Sequence, residues 1–243
     1  MGRPFSDITL YTPTPHKSTT PEYWEQTSLE NFVSDLYVQK MNGYKPPNTT
    51  RITIQPGFHD IWKRTWKNGS IIAIAPYYDY NEYATLDKRG KYQYILDLIQ
   101  VATLQLSEEY KWDKTVFENA YKDVIECGFK FKINYPSKMT RDKKKSANII
   151  IEKTEIITSV YASIGVDSSP LKIKLLDKQN EWWYDYVYIL ARYSKWFDRD
   201  RFGIGYRKGR IDIWYSIEKN EVALFENGNR VTEIDFKNLF LFG

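Results

Sequence analysis

Between Phe202 and Thr232 apolar residues recur at every second position, the period of a strand with one buried face. Phe202-Gly203-Ile204-Gly205-Tyr206 and Ile211-Asp212-Ile213-Trp214-Tyr215 flank the turn Arg207–Arg210, where Gly209 suits a positive φ. A tight loop there sets Tyr206 opposite Ile211, Ile204 opposite Ile213 and Phe202 opposite Tyr215, all on one face. The other face then pairs Gly203 with Trp214 and Gly205 with Asp212. A turn near Lys219-Asn220 predicts Ile217 opposite Val222, Tyr215 opposite Leu224 and Trp214 opposite Phe225. Asn227-Gly228 is a type I′ hairpin signal that sets Val231 opposite Leu224 and Phe225 opposite Arg230. A four-stranded antiparallel meander follows. Trp182, Tyr186, Ile189, Leu190, Tyr193, Trp196 and Phe197 have helical spacing, so a helix over Glu181–Arg199 is expected to cover its apolar face.

Earlier segments are read by the same periods. Met1–Lys17, with Pro4, Pro13 and Pro15 around Ile8–Tyr11, predicts an extended arm or edge strand. Leu29, Phe32, Val33, Leu36 and Tyr37 predict a helix over Ser28–Met41 with Ser28 as its N-cap. Thr50–Gln55 reads as a strand, and Asn68-Gly69 as a hairpin into Ser70–Ala75. Residues 76–83 read as a tyrosine-rich loop or edge. Ile95, Leu98, Ile99, Ala102 and Leu106 predict a helix over Lys91–Tyr110. Its partner starts at Asp113, carries Phe117, Ala120, Tyr121, Val124 and Ile125, and ends at Gly128. Phe129–Tyr135, Ala147–Ile164 (a long strand or a hairpin) and Leu171–Leu176 complete the strands. The order implies an α+β fold. It has a C-terminal amphipathic helix on an antiparallel meander, and an N-terminal half with a helical hairpin and further antiparallel strands. The chain reads as a single domain over residues 1–243, with Gly165–Pro170 as the linker if it divides into 1–165 and 171–243.

Composition narrows the function classes. The chain has 243 residues, enough to bury a core without staples, and one cysteine, Cys127, so no intramolecular disulfide is expected. Met1–Leu10 has no signal-peptide apolar run, and no stretch reaches the length of a membrane span. A cytoplasmic location is expected, with no membrane partner. The net charge of +4 is concentrated in two basic segments, Lys138–Lys145 and Lys195–Arg210. The remainder of the chain is mildly acidic, which does not suggest a general nucleic-acid coat. Eight Trp, 20 Tyr and 12 Phe supply more aromatic surface than a core requires, and Tyr and Trp also serve interfaces.

No catalytic or cofactor motif is present. His16 and His59 are the only histidines and lie in no metal-ligand spacing, so neither a Cys/His metal site nor a cofactor is predicted. Cys127 falls at a helix C-terminus, where the dipole disfavours a thiolate. Gly203-Ile204-Gly205 lies inside a strand and lacks the third glycine of a phosphate-binding loop. Asp198-Arg199-Asp200-Arg201 and the Asp79/Glu82/Asp87 group offer paired carboxylates for acid–base work, with solvated turns as the plainer reading. Lys138, Arg141, Lys143, Lys144 and Lys145 form a candidate polyanion site, read against a solubilising loop. Trp214, Phe225 and Arg230 with Asp212 beside them have the composition of a partner-binding hot spot, read against a second core layer.

Three function classes follow. The first is a non-enzymatic protein-binding module. In texture, as an aromatic-rich α+β chain without catalytic signatures, it resembles the immunity proteins of bacterial polymorphic-toxin systems. That resemblance implies a cognate toxin domain as partner, and the chain as its inhibitor; no residue is carried over from it. The second class is nucleic-acid binding through residues 138–145 and 195–210. The third is a hydrolase or nuclease using carboxylates and a divalent metal.

Overall fold

A computed structural model describes residues 7–56, 64–166, 169–180, 187–207 and 209–234. The fold is α+β, and the chain divides into two compact units, Met1–Lys130 and Phe131–Gly243. The Gly165–Pro170 stretch is not a linker. Gly165 pairs with Pro170 and Val166 with Ser169 inside an antiparallel hairpin.

In the first unit β1 (Asp7–Leu10), β2 (Arg51–Ile54), β3 (Thr65–Asn68) and β4 (Ile71–Ile74) form one sheet in the order β1-β2-β4-β3. The N-terminal arm is its edge strand. β1, β2 and β4 run parallel and only β3 is antiparallel, which corrects the expectation of further antiparallel strands. The reason is α1 (Pro21–Lys40), a crossover helix that returns the chain to the starting end of the sheet. Ile52, Ile54, Ile72 and Ile74 on one face and Thr53 and Ala73 on the other are buried, as in strands covered on both faces. α1 begins at Pro21, seven residues before Ser28, because Thr20 accepts the Tyr23 N–H and Pro21 fits the first turn. Its predicted stripe, Leu29, Phe32, Val33, Leu36 and Tyr37, is buried.

The segment expected to be a loop contains α2 (Tyr80–Thr85), capped by Asp79. α3 (Lys88–Tyr110) and α4 (Lys114–Glu126) are capped by Asp87 and Asp113, and Gly128 takes φ +62° just past α4. The predicted α3 stripe is buried throughout, and Phe117, Ala120 and Val124 of α4 are buried, whereas Ile125 is exposed. Tyr121 of α4 donates to Asp97 of α3, as an antiparallel pair requires. Tyr37 links all three long helices, bonding Gln100, Thr103 and the Phe117 carbonyl.

The second unit contains two antiparallel sheets. β5 (Phe131–Asn134), β7 (Ser146–Lys153), β8 (Ile157–Val166) and β9 (Ser169–Gln179) form one, with β6 (Lys138–Met139) on β7. β10 (Ser194–Trp196), β11 (Arg201–Tyr206), β12 (Ile211–Ser216), β13 (Glu221–Glu226) and β14 (Asn229–Val231) form the other in sequential order. Their inner faces and α5 (Val187–Ala191) share one core, including Ile149, Val160, Leu190, Phe202, Ile204, Ile213 and Tyr215.

The expected Glu181–Arg199 helix is corrected. Residues 181–186, with Trp182 and Tyr186, lie outside the described residues. Within the described part, helix ends at Ala191 and Ser194–Trp196 is a strand. Ser194, Lys195 and Trp196 pair with Ile204, Gly203 and Phe202, satisfying an edge that the helix would have left open. The turn after β10 is held by Asp198, which accepts the N–H groups of Asp200 and Arg201.

Candidate functional site

The outer face of the meander, opposite its core face, is half-buried at Arg201, Asp212, Trp214 and Phe225 and exposed at Lys195 and Arg230. Phe202, Ile204, Tyr206, Ile211, Ile213 and Tyr215 point inward and are buried. Lys195, Arg201, Gly203, Gly205, Asp212, Trp214, Ala223, Phe225 and Arg230 occupy the opposite face by strand alternation. The first and third predicted registers hold: Gly203 faces Trp214, Gly205 faces Asp212, Val231 faces Leu224 and Arg230 faces Phe225.

The second register is corrected by two residues. Tyr215, not Ile217, faces Val222; Trp214 faces Ala223; and Asp212 faces Phe225. The cause is a distant carboxylate. Asp200 accepts the Glu218 N–H at 2.7 Å and the Ser216 hydroxyl, and its carbonyl accepts the Ile217 N–H at 3.2 Å. Asn220, at φ +51°, closes the loop and accepts a hydrogen bond from the Tyr215 hydroxyl. The loop therefore spans Ile217–Asn220. A two-residue slip keeps every side chain on its predicted face, so the site residues still gather.

Trp214 and Phe225 stack with ring centroids 5.6 Å apart and planes 22° apart. The Arg201 guanidinium lies 5.1 Å from the Trp214 ring centroid, within cation–π range. Asp198 orients that guanidinium through Arg201 Nε at 2.6 Å. Burial opposes ionisation of Asp198, but the hydrogen bonds from Arg201 and Asp200 keep its carboxyl below the usual range. Arg230 is paired with Glu221. Lys195 lies across Gly205, with its ammonium 4.5 Å from the Phe197 ring centroid. Asp212 Oδ1 is buried beside them without a hydrogen-bond partner.

The polyanion candidates meet this face at its edge. Thr140–Lys145 is a turn ordered by Asp142, which accepts from the Thr140 hydroxyl at 2.6 Å and the Lys144 N–H at 3.2 Å. The Thr140 bond in particular lowers the Asp142 carboxyl pKa. Lys145 Nζ donates to the Arg199 carbonyl at 3.0 Å, and Lys138 Nζ donates to the Ser194 carbonyl. Trp196 Nε1 donates to the Lys138 carbonyl at 2.8 Å. The two basic segments are thus adjacent. Lys138 and Lys145 serve to join them, while Arg141, Lys143 and Lys144 project from the turn. Arg201 over Trp214 was not singled out by sequence.

The carboxylates considered for catalysis have structural work. Asp198 and Asp200 hold two turns, and Asp79 and Asp87 cap helices. Cys127 donates its thiol to the Val124 carbonyl at the end of α4. Among the described residues, no group of three or more His, Cys, Asp or Glu converges on a metal-sized space, and no helix is long and apolar enough to cross a membrane.

No protein-family model, curated protein or solved structure matches this chain.

Proposed function

We propose that the protein is a non-enzymatic binding module that docks a protein partner on the outer face of the β10–β14 meander. The observation that carries this reading is the Trp214–Phe225 stack under the Arg201 guanidinium, bordered by the Lys145–Arg199 junction. An aromatic centre with arginine and a polar rim is the composition of binding hot spots. The rim cations Arg141, Lys143, Lys144 and Arg199 favour a partner whose contacting surface is acidic. In its most specific form this is an immunity protein that neutralises a toxin domain in the cytoplasm, where the lone Cys127 stays reduced.

Nucleic-acid binding is the second reading, favoured by one observation: the two basic segments predicted separately lie side by side. Against it, the Trp214 ring already engages both Phe225 and Arg201, which leaves less π-surface for a base to stack on.

The full chain, immobilised, separates the two. Extract from the native host is passed over wild type and Trp214→Ala, with and without nuclease. One stoichiometric protein, retained after nuclease treatment and lost from Trp214→Ala, is the expected result. Retention of nucleic acid alone, eluting steeply with salt, would replace this reading with the second.

A further inference from the structure

β9 is the longest strand among the described residues, eleven residues, and it lies at the edge of its sheet. Among the described residues no strand pairs with its other side. Such an edge offers unpaired backbone groups to any extended chain that reaches it. A proline decides which groups these are. Pro170 has no N–H to give to a ladder, and it stands opposite Gly165. Along an antiparallel ladder, pairs that exchange hydrogen bonds alternate with pairs whose polar groups point away from each other. Gly165–Pro170 is therefore of the second kind, and so are Ser163–Lys172 and Tyr161–Lys174, which follow it at every second position. The N–H and C=O groups of Lys172 and Lys174 thus aim at the open edge.

The side chains of this edge divide by face. Leu171 stands opposite Ile164, and Ile173 opposite Ala162, both buried in the core. Cross-strand partners share a face, yet Leu171 is 51% exposed and Ile173 is only partly buried. The core face therefore runs out at the edge as a half-exposed apolar shelf. On the opposite face Lys172 and Lys174 flank Tyr161, their ammonium groups 3.9 and 6.0 Å from its ring centroid. Lys172 pairs with Glu152 at 2.7 Å, and Lys174 with Asp177 at 2.9 Å. Solvent-exposed pairs of this sort hold their lysines weakly. Either lysine can turn to a new partner without stranding its anion, because Lys132 also reaches Glu152 and the Ser159 hydroxyl donates to Asp177.

The occupant follows from these features. An extended chain satisfies the outward groups of Lys172 and Lys174 by adding a strand to the sheet. Its side chains alternate between the two faces, so apolar ones cover Leu171 and Ile173 while acidic ones meet the lysines. We propose that the 170–174 edge docks an extended partner segment in which acidic and apolar residues alternate. A second copy of this chain is a poor occupant. Two such edges joined antiparallel, with their core faces kept together, set lysine opposite lysine, and like charges opposite each other destabilise a sheet. The edge belongs to the sheet that does not carry the Trp214 face, and the inference does not rest on that site.

The test is fluorescence anisotropy of a fluorescein-labelled peptide that alternates glutamate and valine, titrated with the full chain. Saturable binding that weakens as salt rises is expected, and the same peptide with lysine in place of glutamate should not bind. Amide hydrogen exchange locates the contact. In the free protein the Lys172 and Lys174 amides should exchange quickly and those of Leu171 and Ile173 slowly, and the peptide should slow the first two. Lys172→Ala with Lys174→Ala should weaken binding by about threefold to tenfold. Lys172→Pro with Lys174→Pro also removes both outward donors without touching the ladder to β8, and should weaken binding by about a further tenfold or more. No binding to the wild type, equal binding of the lysine peptide, or binding that leaves the Lys172 and Lys174 amides unprotected would each overturn the proposal. So would dimerisation that protects the same amides without peptide; none of these outcomes needs a variant.

Discussion

Trp214 stacks on Phe225 although the two are not opposite each other: the ladder pairs Trp214 with Ala223 and Asp212 with Phe225. The stack is diagonal, across the small side chain of Ala223, and diagonal neighbours on a twisted sheet lie within reach of large rings. This geometry makes the pair a pre-ordered platform. Trp214→Ala should weaken partner binding by about 2 kcal/mol or more, roughly thirtyfold, the range of an interface hot spot. Fold stability should fall by only ~1–2 kcal/mol, less than for a fully buried tryptophan. Surface plasmon resonance against the purified partner, alongside urea unfolding, checks both. A loss of stability without a loss of affinity would remove Trp214 from the interface.

The two glycines on that face have different tolerances. A Cβ on Gly203 would lie 1.9 Å from the Ile213 carbonyl oxygen and 2.7 Å from the Trp214 Cα, both backbone atoms that cannot swing aside. A Cβ on Gly205 would meet chiefly the Lys195 tail, at 2.1 and 2.4 Å, which can move. Gly203→Ala is expected to cost about 1–3 kcal/mol through overpacking, and Gly205→Ala clearly less. The difference in urea midpoints, with equal m-values, measures it. Equal midpoints would contradict the close strand approach at Gly203.

Much of the second unit was legible because its strands obey a period of two. Registers anchored by a local turn, Arg207–Arg210 and Asn227-Gly228, came out of the sequence correctly. The register that failed is set by Asp200, 16 residues before the Ser216 it binds, and no local turn rule contains that contact. The β10 strand was misread because Tyr193, Trp196 and Phe197 extend a helical pattern, while the edge that recruits Ser194–Trp196 exists only after β11 has formed. In the first unit, the parallel pairing was invisible because it depends on α1 acting as a crossover. Starting α1 at Ser28 also hid the polar stripe Gln26, Glu30 and Ser34, spaced four residues apart and buried together.

The corrected start of α1 has its own test. Thr20 accepts the Tyr23 N–H, and the backbone and hydroxyl bonds to Glu22 at the same end lower its carboxyl pKa. Thr20→Ala should cost ~1 kcal/mol, as loss of an N-cap does. Ser28→Ala, now inside the helix, should be close to neutral or slightly stabilising. Thermal melts of the two variants decide between the two helix starts.

The basic turn should act on association rather than on folding. Arg141, Lys143 and Lys144 are exposed, in a turn whose order comes from Asp142 and Thr140. Replacing all three with glutamate should change stability by no more than ~0.5 kcal/mol. Association with an acidic partner should slow by about tenfold or more at low salt, and the difference should shrink as salt rises. Stopped-flow kinetics at two ionic strengths measures this. An unchanged rate would move the partner's contact away from this edge.

Glu30 makes stability pH-dependent in a direction opposite to most carboxylates. Its folded pKa, about 7, lies above the ordinary glutamate value of 4.5 because the carboxyl is buried. Between those values the folded state binds more protons than the unfolded state, so this group's contribution to stability falls as pH rises from about 4.5 to 7, then levels off. The accumulated penalty above pH 7 is on the order of 3 kcal/mol. Glu30→Gln keeps the acceptor for Thr12 and Gln26 but removes the ionisation. The variant should match wild type near pH 4.5 and become progressively more stable than it toward pH 7.5. Urea unfolding of both proteins across that window, read as a difference so that other titrating groups cancel, is the measurement. A wild type that gains stability relative to Glu30→Gln as pH rises would mean that Glu30 is ionised and partnered in the folded state.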